Sequence, residues 1–194
     1  ATLEGKALYN VQNAMFATAM AFSFGLDLDN IRHGLRTFDT SFFQAPGRTN
    51  VFDEHPFKVI LDYGHNPAAI AAMADLADRL DIKGRRIVVS AMPGDRRDED
   101  IAASARELAG HFDHYVLKPD DDRRGRGDME VPELLKAALV SAGVKPDQIT
   151  LMPSEVEGIE RGLELAQPGD LLVVFADELA RSWKQIIYFK KAER

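Results

Sequence analysis

"KVILDYGHNPAAIAAM", residues 58–73, decides how this 194-residue chain folds. Val59-Ile60-Leu61 is a short apolar run, Asp62 to Asn66 are polar or small, and Pro67 opens an alanine-rich stretch. Asn66 is a favourable N-cap, and proline suits the first helical position because its missing N–H would find no partner there. The stretch therefore predicts a buried strand over 57–62, a connecting loop, and a helix over 67–80.

The same alternation recurs downstream. Strand-like runs lie at 86–91 ("RIVVSA"), 113–118 ("DHYVLK") and 170–176 ("DLLVVFA"), with a weaker one at 148–152. Helical spacing places Ile101, Ala105, Leu108 and Ala109 on one face of 98–110, and Leu134, Leu135, Ala138 and Leu139 on one face of 132–142. Ser154 and Glu157 have capping-box spacing at the start of 154–166, and 178–189 would turn Leu179, Trp183, Ile186 and Ile187 inward. Short apolar strands between amphipathic helices predict an α/β fold: a doubly wound, mostly parallel, Rossmann-like sheet with helices on both faces. Such sheets bind ligands beyond the carboxyl ends of their strands, where strand order switches. Three polar loops should leave that edge, at 62–66, 93–100 ("PGDRRDED") and 118–128 ("KPDDDRRGRGD").

The N-terminal part reads differently. "NVQNAMFATAMAFSF", residues 10–24, is apolar on almost every side and predicts a helix buried nearly all round, stopped by Gly25. Asp27 can cap a second helix carrying Leu28, Ile31 and Leu35. "TFDTSFFQAPGR", residues 37–48, is loop chemistry and marks a domain boundary, giving expected units 1–45 and 46–194. The chain opens on Ala1 with neither strand nor clear cap, and reads as a piece of something longer.

Composition narrows the function classes. No apolar run approaches the roughly 20 residues of a spanning helix. A formal net charge of −7 disfavours a nucleic-acid partner, and the one basic cluster, Arg123-Arg124-Gly125-Arg126, follows three aspartates that offset it. With no cysteine there is no disulfide or thiolate site, which accords with a cytoplasmic setting. A serine elbow and a helical zinc motif are both missing, and the sole Gly-Lys, Gly5-Lys6, precedes Ala7, so no phosphate-cradling P-loop exists in these residues. The 120–131 segment has aspartates at the first and third positions of a calcium loop and glycine at the sixth. Arg124 and Val131 stand where the fifth and twelfth positions need oxygen ligands, which excludes calcium. Taken alone, Asn66-Pro67 could be a helix cap and nothing more, and the charged loops solvated turns.

The ordered set "PGR" (46–48), "LDYGHNPAAI" (61–70) and the Gly94-Asp95-Arg96-Arg97 loop resembles the C-terminal domain of the Mur ligase family, ATP-dependent amide-forming enzymes. Residues 10–48 resemble the last two helices of that family's central ATPase domain and the linker out of it. Within the family, "SFFQAPGR", "GDRRDED" and "KPDDDRRGR" are most similar to the cyanophycin synthetases, which add arginine to aspartate side chains in a polymer.

The resemblance implies ATP and Mg²⁺, held mainly by a central domain, and an amino-acid or peptide substrate. It implies nucleotide contacts at Arg48, Asp62, Tyr63, His65 and Asn66. Substrate contacts are implied at Asp95, Arg96, Arg97 and Asp98, and at Asp120, Asp121, Asp122, Arg123 and Arg124. No catalytic residue or metal ligand is expected within this stretch, and a homo-oligomer is compatible with it. Alternatives are a peptidoglycan-type or glutamate-adding ligase, or a non-catalytic domain that binds a nucleotide or a partner.

Overall fold

In the computed structural model, which describes residues 1–190, two helices, α1 (Leu8–Ser23) and α2 (Leu28–Thr37), come first. Then follow β1 (Asn50–Phe52), β2 (Lys58–Asp62), α3 (Pro67–Arg79), β3 (Arg86–Ser90), α4 (Asp98–Leu108) and β4 (His114–Leu117). The chain continues with α5 (Glu130–Ser141), β5 (Ile149–Leu151), α6 (Glu155–Leu165), β6 (Leu171–Phe175) and α7 (Leu179–Tyr188). Residues 191–194, assigned above to the second unit, lie outside the described residues.

The strands form one sheet in the order β1-β2-β6-β3-β4-β5, parallel except for the antiparallel edge strand β1. Side chains alternate across it. Ile60, Val88 and Val173 face one core with Ile70 and Leu76 of α3, Ile101 and Leu108 of α4, and Leu135 and Leu139 of α5. Leu61, Val89 and Val174 face a second core with Ile159 and Leu163 of α6 and Ile186 of α7. Three helices thus cover one face and two the other, as a doubly wound sheet requires.

The position of β6 sets the function-bearing geometry. The loops leaving β2, β3 and β4 run to helices on the first face, whereas the loop leaving β6 runs to α7 on the second. Because β6 lies between β2 and β3, neighbouring loops diverge on either side of it and open a crevice at its carboxyl end.

Local chemistry explains the element starts. Asp27 accepts hydrogen bonds from the amides of Asp29 and Asn30, and Asn66 from that of Ala69. Ser154 Oγ accepts from the Glu157 amide at 3.2 Å, but its own proton goes to the Glu157 carboxylate at 2.6 Å. Glu157 therefore does not reach back to the Ser154 N–H as a full capping box would.

Two burial expectations need correction. α1 forms where expected, but it has no buried residue: Met15, Phe16, Met20 and Phe22 are 58–68% exposed. α1 is apolar on most sides, but α2 and α3 pack against only part of it, leaving the rest uncovered. An open, mostly apolar groove runs between α1, α2 and the linker, with Arg48 at its rim. On α7 only Ile186 of the four expected residues is buried; Leu179, Trp183 and Ile187 are half-buried, because the helix lies at the edge of its face, where the linker covers Leu179 and Trp183 only in part.

The linker between α2 and the sheet is fixed to the sheet rather than loose. Asn50 Nδ2 donates to the Thr40 and Ala45 carbonyls, and its Oδ1 accepts from the Gly47 amide. Phe42 stacks on Trp183 at 5.1 Å between ring centres. Gly47 adopts φ +69, a conformation costly for any residue with a Cβ, and its carbonyl accepts from the Tyr63 amide at 2.9 Å.

Candidate functional site

A cleft opens at the end of the switch strand. Tyr63, Gly64 and His65 after β2 form one wall, with Phe175 at the end of β6 and Ala176 and Asp177 after it beside them, and Ala91, Pro93 and Asp120 completing the rim. The three loops expected at this edge do converge on it. The 94–98 and 120–126 loops are joined by Arg124, which pairs with Asp95 at 3.0 Å, and by Arg126. The Arg126 guanidinium donates to the carbonyls of Gly94 and Arg96, both at 2.7 Å, and pairs with Asp98 and Glu130.

The close approach explains Gly94, since a Cβ there would collide with the Arg123 carbonyl oxygen. Gly94→Ala is expected to push the loops apart and cost about 1–3 kcal/mol, the usual range for overpacking, measurable as a lower urea midpoint. An unchanged midpoint would show that the loops yield freely.

The nucleotide-side candidates are arranged unequally. Asp62 is half-buried: Oδ1 accepts from the Gly64 amide and Oδ2 from the Thr49 amide, both at 2.8 Å, with Thr49 Oγ1 at 3.4 Å. Since Thr49 has one hydroxyl proton and directs it to Asp62, Tyr9 is the donor in its 2.6 Å contact with Thr49. This chain ties α1 to the loop after β2. Burial pushes the Asp62 carboxyl up, opposed by the Thr49 and Gly64 amides and by the charge of Arg48. Burial likewise pushes the Tyr9 phenol up to about 12.

Asn66 commits its carbonyl oxygen to capping α3. Tyr63 and His65 lie ring to ring at 4.9 Å, and His65 Nδ1 is 3.0 Å from the Tyr63 carbonyl oxygen. Arg48 is exposed, and its guanidinium makes no hydrogen bond or ion pair among the described residues. A free guanidinium near a half-buried carboxylate suits phosphate or ribose oxygens, which it can meet with several donors in one plane. Among the described residues there is no group of three or more His, Cys, Asp or Glu that could hold a metal ion.

Most substrate-side candidates already have partners inside the chain. Arg97 pairs with Asp100, Asp98 with Arg126, and Asp121 with Arg181. Asp122 Oδ1 accepts from the Arg124 amide, and Arg123 lies 3.5 Å from Asp128. Arg96 is half-buried and, among the described residues, forms no ion pair and leaves its buried Nε without a hydrogen bond. Asp120 is buried at the cleft rim. Burial pushes its carboxyl up; the Lys118 charge opposes this, while Asp177 and Glu155 push further in the same direction.

Sequence reasoning missed two features here. Asp177 and Glu178 follow β6 at the same carboxyl edge, so the rule that selected the other loops applied to them as well. Glu155 and Lys118 form a fully buried pair at 2.6 Å beneath the cleft. Burial alone would raise the Glu155 carboxyl. The Lys118 charge and hydrogen bond, with the amides of Asp177 and Glu178, outweigh it and hold the group at about 2, below its ordinary 4.5.

A carboxyl depressed on folding contributes stability above its unfolded pKa and loses it as pH falls through the folded one. Glu155 therefore contributes on the order of 3 kcal/mol at neutral pH. That contribution should fade between about pH 4.5 and 2. Asp62 and Asp120, raised on folding, have the opposite sign: their contribution is complete when they are protonated and is lost as pH rises through their folded pKa. Urea unfolding at stepped pH should show the acid loss in the native chain and a weaker one in Glu155→Gln.

Among the described residues no helix is long and apolar enough to cross a membrane. Comparison with known proteins gives the family. Residues 47–177 match the model for the Mur ligase, glutamate ligase domain. The chain is 38% identical to the cyanophycin synthetase of Crocosphaera subtropica over 93% of its own length and 20% of that protein's. Against the UDP-N-acetylmuramoyl-L-alanyl-D-glutamate--2,6-diaminopimelate ligase of Corynebacterium glutamicum it is 34% identical, covering 86% of this chain and 32% of that one. Among solved structures, E. coli FolC in complex with DHPP and ADP shares the fold at TM-score 0.69 and 24% identity, over 90% of this chain and 38% of that chain. The chain thus spans about a fifth of the cyanophycin synthetases it matches. On the matched residues and the shared fold together, it belongs to the Mur ligase family.

Proposed function

We propose that this chain is the C-terminal part of an ATP-dependent amide ligase of the cyanophycin synthetase type, which joins arginine to an aspartate side-chain carboxylate through an acyl phosphate. The observation that carries the reading is the switch-strand cleft, where residues the family resemblance assigns to nucleotide (Tyr63, His65) share one opening with acidic residues (Asp120, Asp177) suited to a cationic amine. The identity to cyanophycin synthetases supports the arginine assignment.

When bound, ATP supplies the phosphoryl group that activates the carboxylate. The part of this chain is to seat the amine and exclude water while Arg48 reaches the nucleotide; closure of this kind completes a site shared between domains. In this reading residues 1–45 are the last helices of a central ATPase domain, which covers the exposed face of α1 and brings the P-loop and Mg²⁺ ligands. The 194 residues alone then have no turnover, and the full-length protein works in the cytoplasm.

The test is thermal unfolding of the full-length protein with an ATP analogue and single amino acids. Arginine at about 100 times its dissociation constant should stabilise the protein by about 2.7 kcal/mol. Stabilisation by diaminopimelate or glutamate, with none by arginine, would assign a different amine. No response to any nucleotide would favour a non-catalytic domain.

A further inference from the structure

The ion pair beneath the cleft joins the two turns that build its acidic side. Glu155 Oε2 accepts from Lys118 Nζ at 2.6 Å and from the Asp177 amide at 2.8 Å. Its Oε1 accepts from the Glu178 amide at 3.0 Å, Ser182 Oγ at 2.9 Å and Arg181 Nη2 at 3.0 Å. Arg181 also pairs with Asp121 at 2.6 Å. One side chain with no exposed surface thus ties the exit of β4 to the start of α7, and those two turns supply the cleft residues Asp120 and Asp177.

Stability alone is a weak reason for this arrangement, because a buried ion pair is often matched by a packed apolar pair of the same volume. Capping of α6 is also not the reason, since Ser154 already provides it. Five donors drawn from two turns onto one carboxylate define a separation instead.

What the separation controls follows from charge. The Asp177 carboxylate makes no hydrogen bond or ion pair among the described residues, and Asp120 lies close enough for the two charges to interact. Two neighbouring carboxylates repel phosphate and attract a cation, so this side of the cleft faces the amine substrate and not the nucleotide. We propose that Glu155 is a positioning residue for amine recognition, holding Asp120 and Asp177 at the spacing that binds a cationic amino acid. The proposal rests on the ligase reading above.

The experiment is steady-state kinetics of the full-length protein, with ATP and the amine varied separately. Glu155→Gln is expected to raise the amine KM about tenfold, the scale of one misplaced charge-assisted hydrogen bond, with kcat and the ATP KM held within about threefold. Asp177→Asn should reproduce the split, and Ser182→Ala, which removes one donor of the five, should move the amine KM the same way by less. Hydrogen exchange at the Asp177 and Glu178 amides should quicken in Glu155→Gln.

Faster exchange at those amides with an unchanged amine KM overturns the proposal, as does an equal loss in all kinetic parameters. If Glu155→Gln fails to fold, Ser182→Ala decides: an unchanged amine KM there overturns it. A parent protein without ligase activity would sink the underlying reading and this proposal together. That outcome is recognised before any variant is made.

Discussion

Replacing Glu155 with alanine is expected to destabilise the chain by about 3–5 kcal/mol, the cost of leaving one member of a buried pair uncompensated. Lys118 would keep its charge with no exposed surface and, among the described residues, only Asp120, at 3.6 Å, to answer it. The amides of Asp177 and Glu178 and the Ser182 hydroxyl would lose their acceptor at the same time. For a domain of this size the unfolding midpoint should fall by roughly 10–15 °C. The double variant Lys118→Met/Glu155→Leu removes both charges, and should recover part of the loss although the three donors stay unpaired. A single variant within about 1 kcal/mol of the parent would mean that water reaches Lys118 and the pair is not buried.

The second large effect is functional. Arg48→Ala in the full-length protein should lower kcat/KM for ATP about a hundredfold, the usual consequence of losing one preorganised donor group at a reacting phosphate. The same change should scarcely alter stability, because the guanidinium has no hydrogen bond or ion pair within the described residues to lose. Asp62 would lose a nearby positive charge but keep its contacts with Thr49 and Gly64. A kcat/KM within about twofold of the parent would remove Arg48 from the site.

Much of the fold was legible because local and global signals agree. "VILD" followed by "GHNP" carries a strand, an N-cap and a helix start within ten residues, and each formed as β2 and α3. The edge strand β1 was not legible. Asn50–Phe52 is three residues long, follows a Pro-Gly turn, and takes its strand character from pairing with Val59 to Leu61 of β2. The exposure of α1 was hidden for a related reason, since periodicity shows which residues can be buried and not whether anything lies against them.

The site was read unevenly. The carboxyl-end rule found three loops but passed over Asp177, because "ADEL" looks like an ordinary acidic helix start. Glu155 was disguised in the same way. It follows the cap of α6, where an acid favours the helix dipole, and its partner Lys118 is 37 residues distant. One hint was present: Lys118 ends an otherwise apolar strand run, "HYVLK", so its ammonium needed a buried partner. Arg48 is implied by family resemblance alone, as an isolated arginine after a turn carries no pattern of its own.

Binding geometry decides the account most directly, through a structure of the full-length protein with a non-hydrolysable ATP analogue and arginine. The predicted result has the Arg48 guanidinium hydrogen-bonded to the nucleotide and the ligand's guanidinium held between Asp120 and Asp177. A nucleotide that touches nothing in residues 47–66, or arginine seated away from the end of β6, would contradict it.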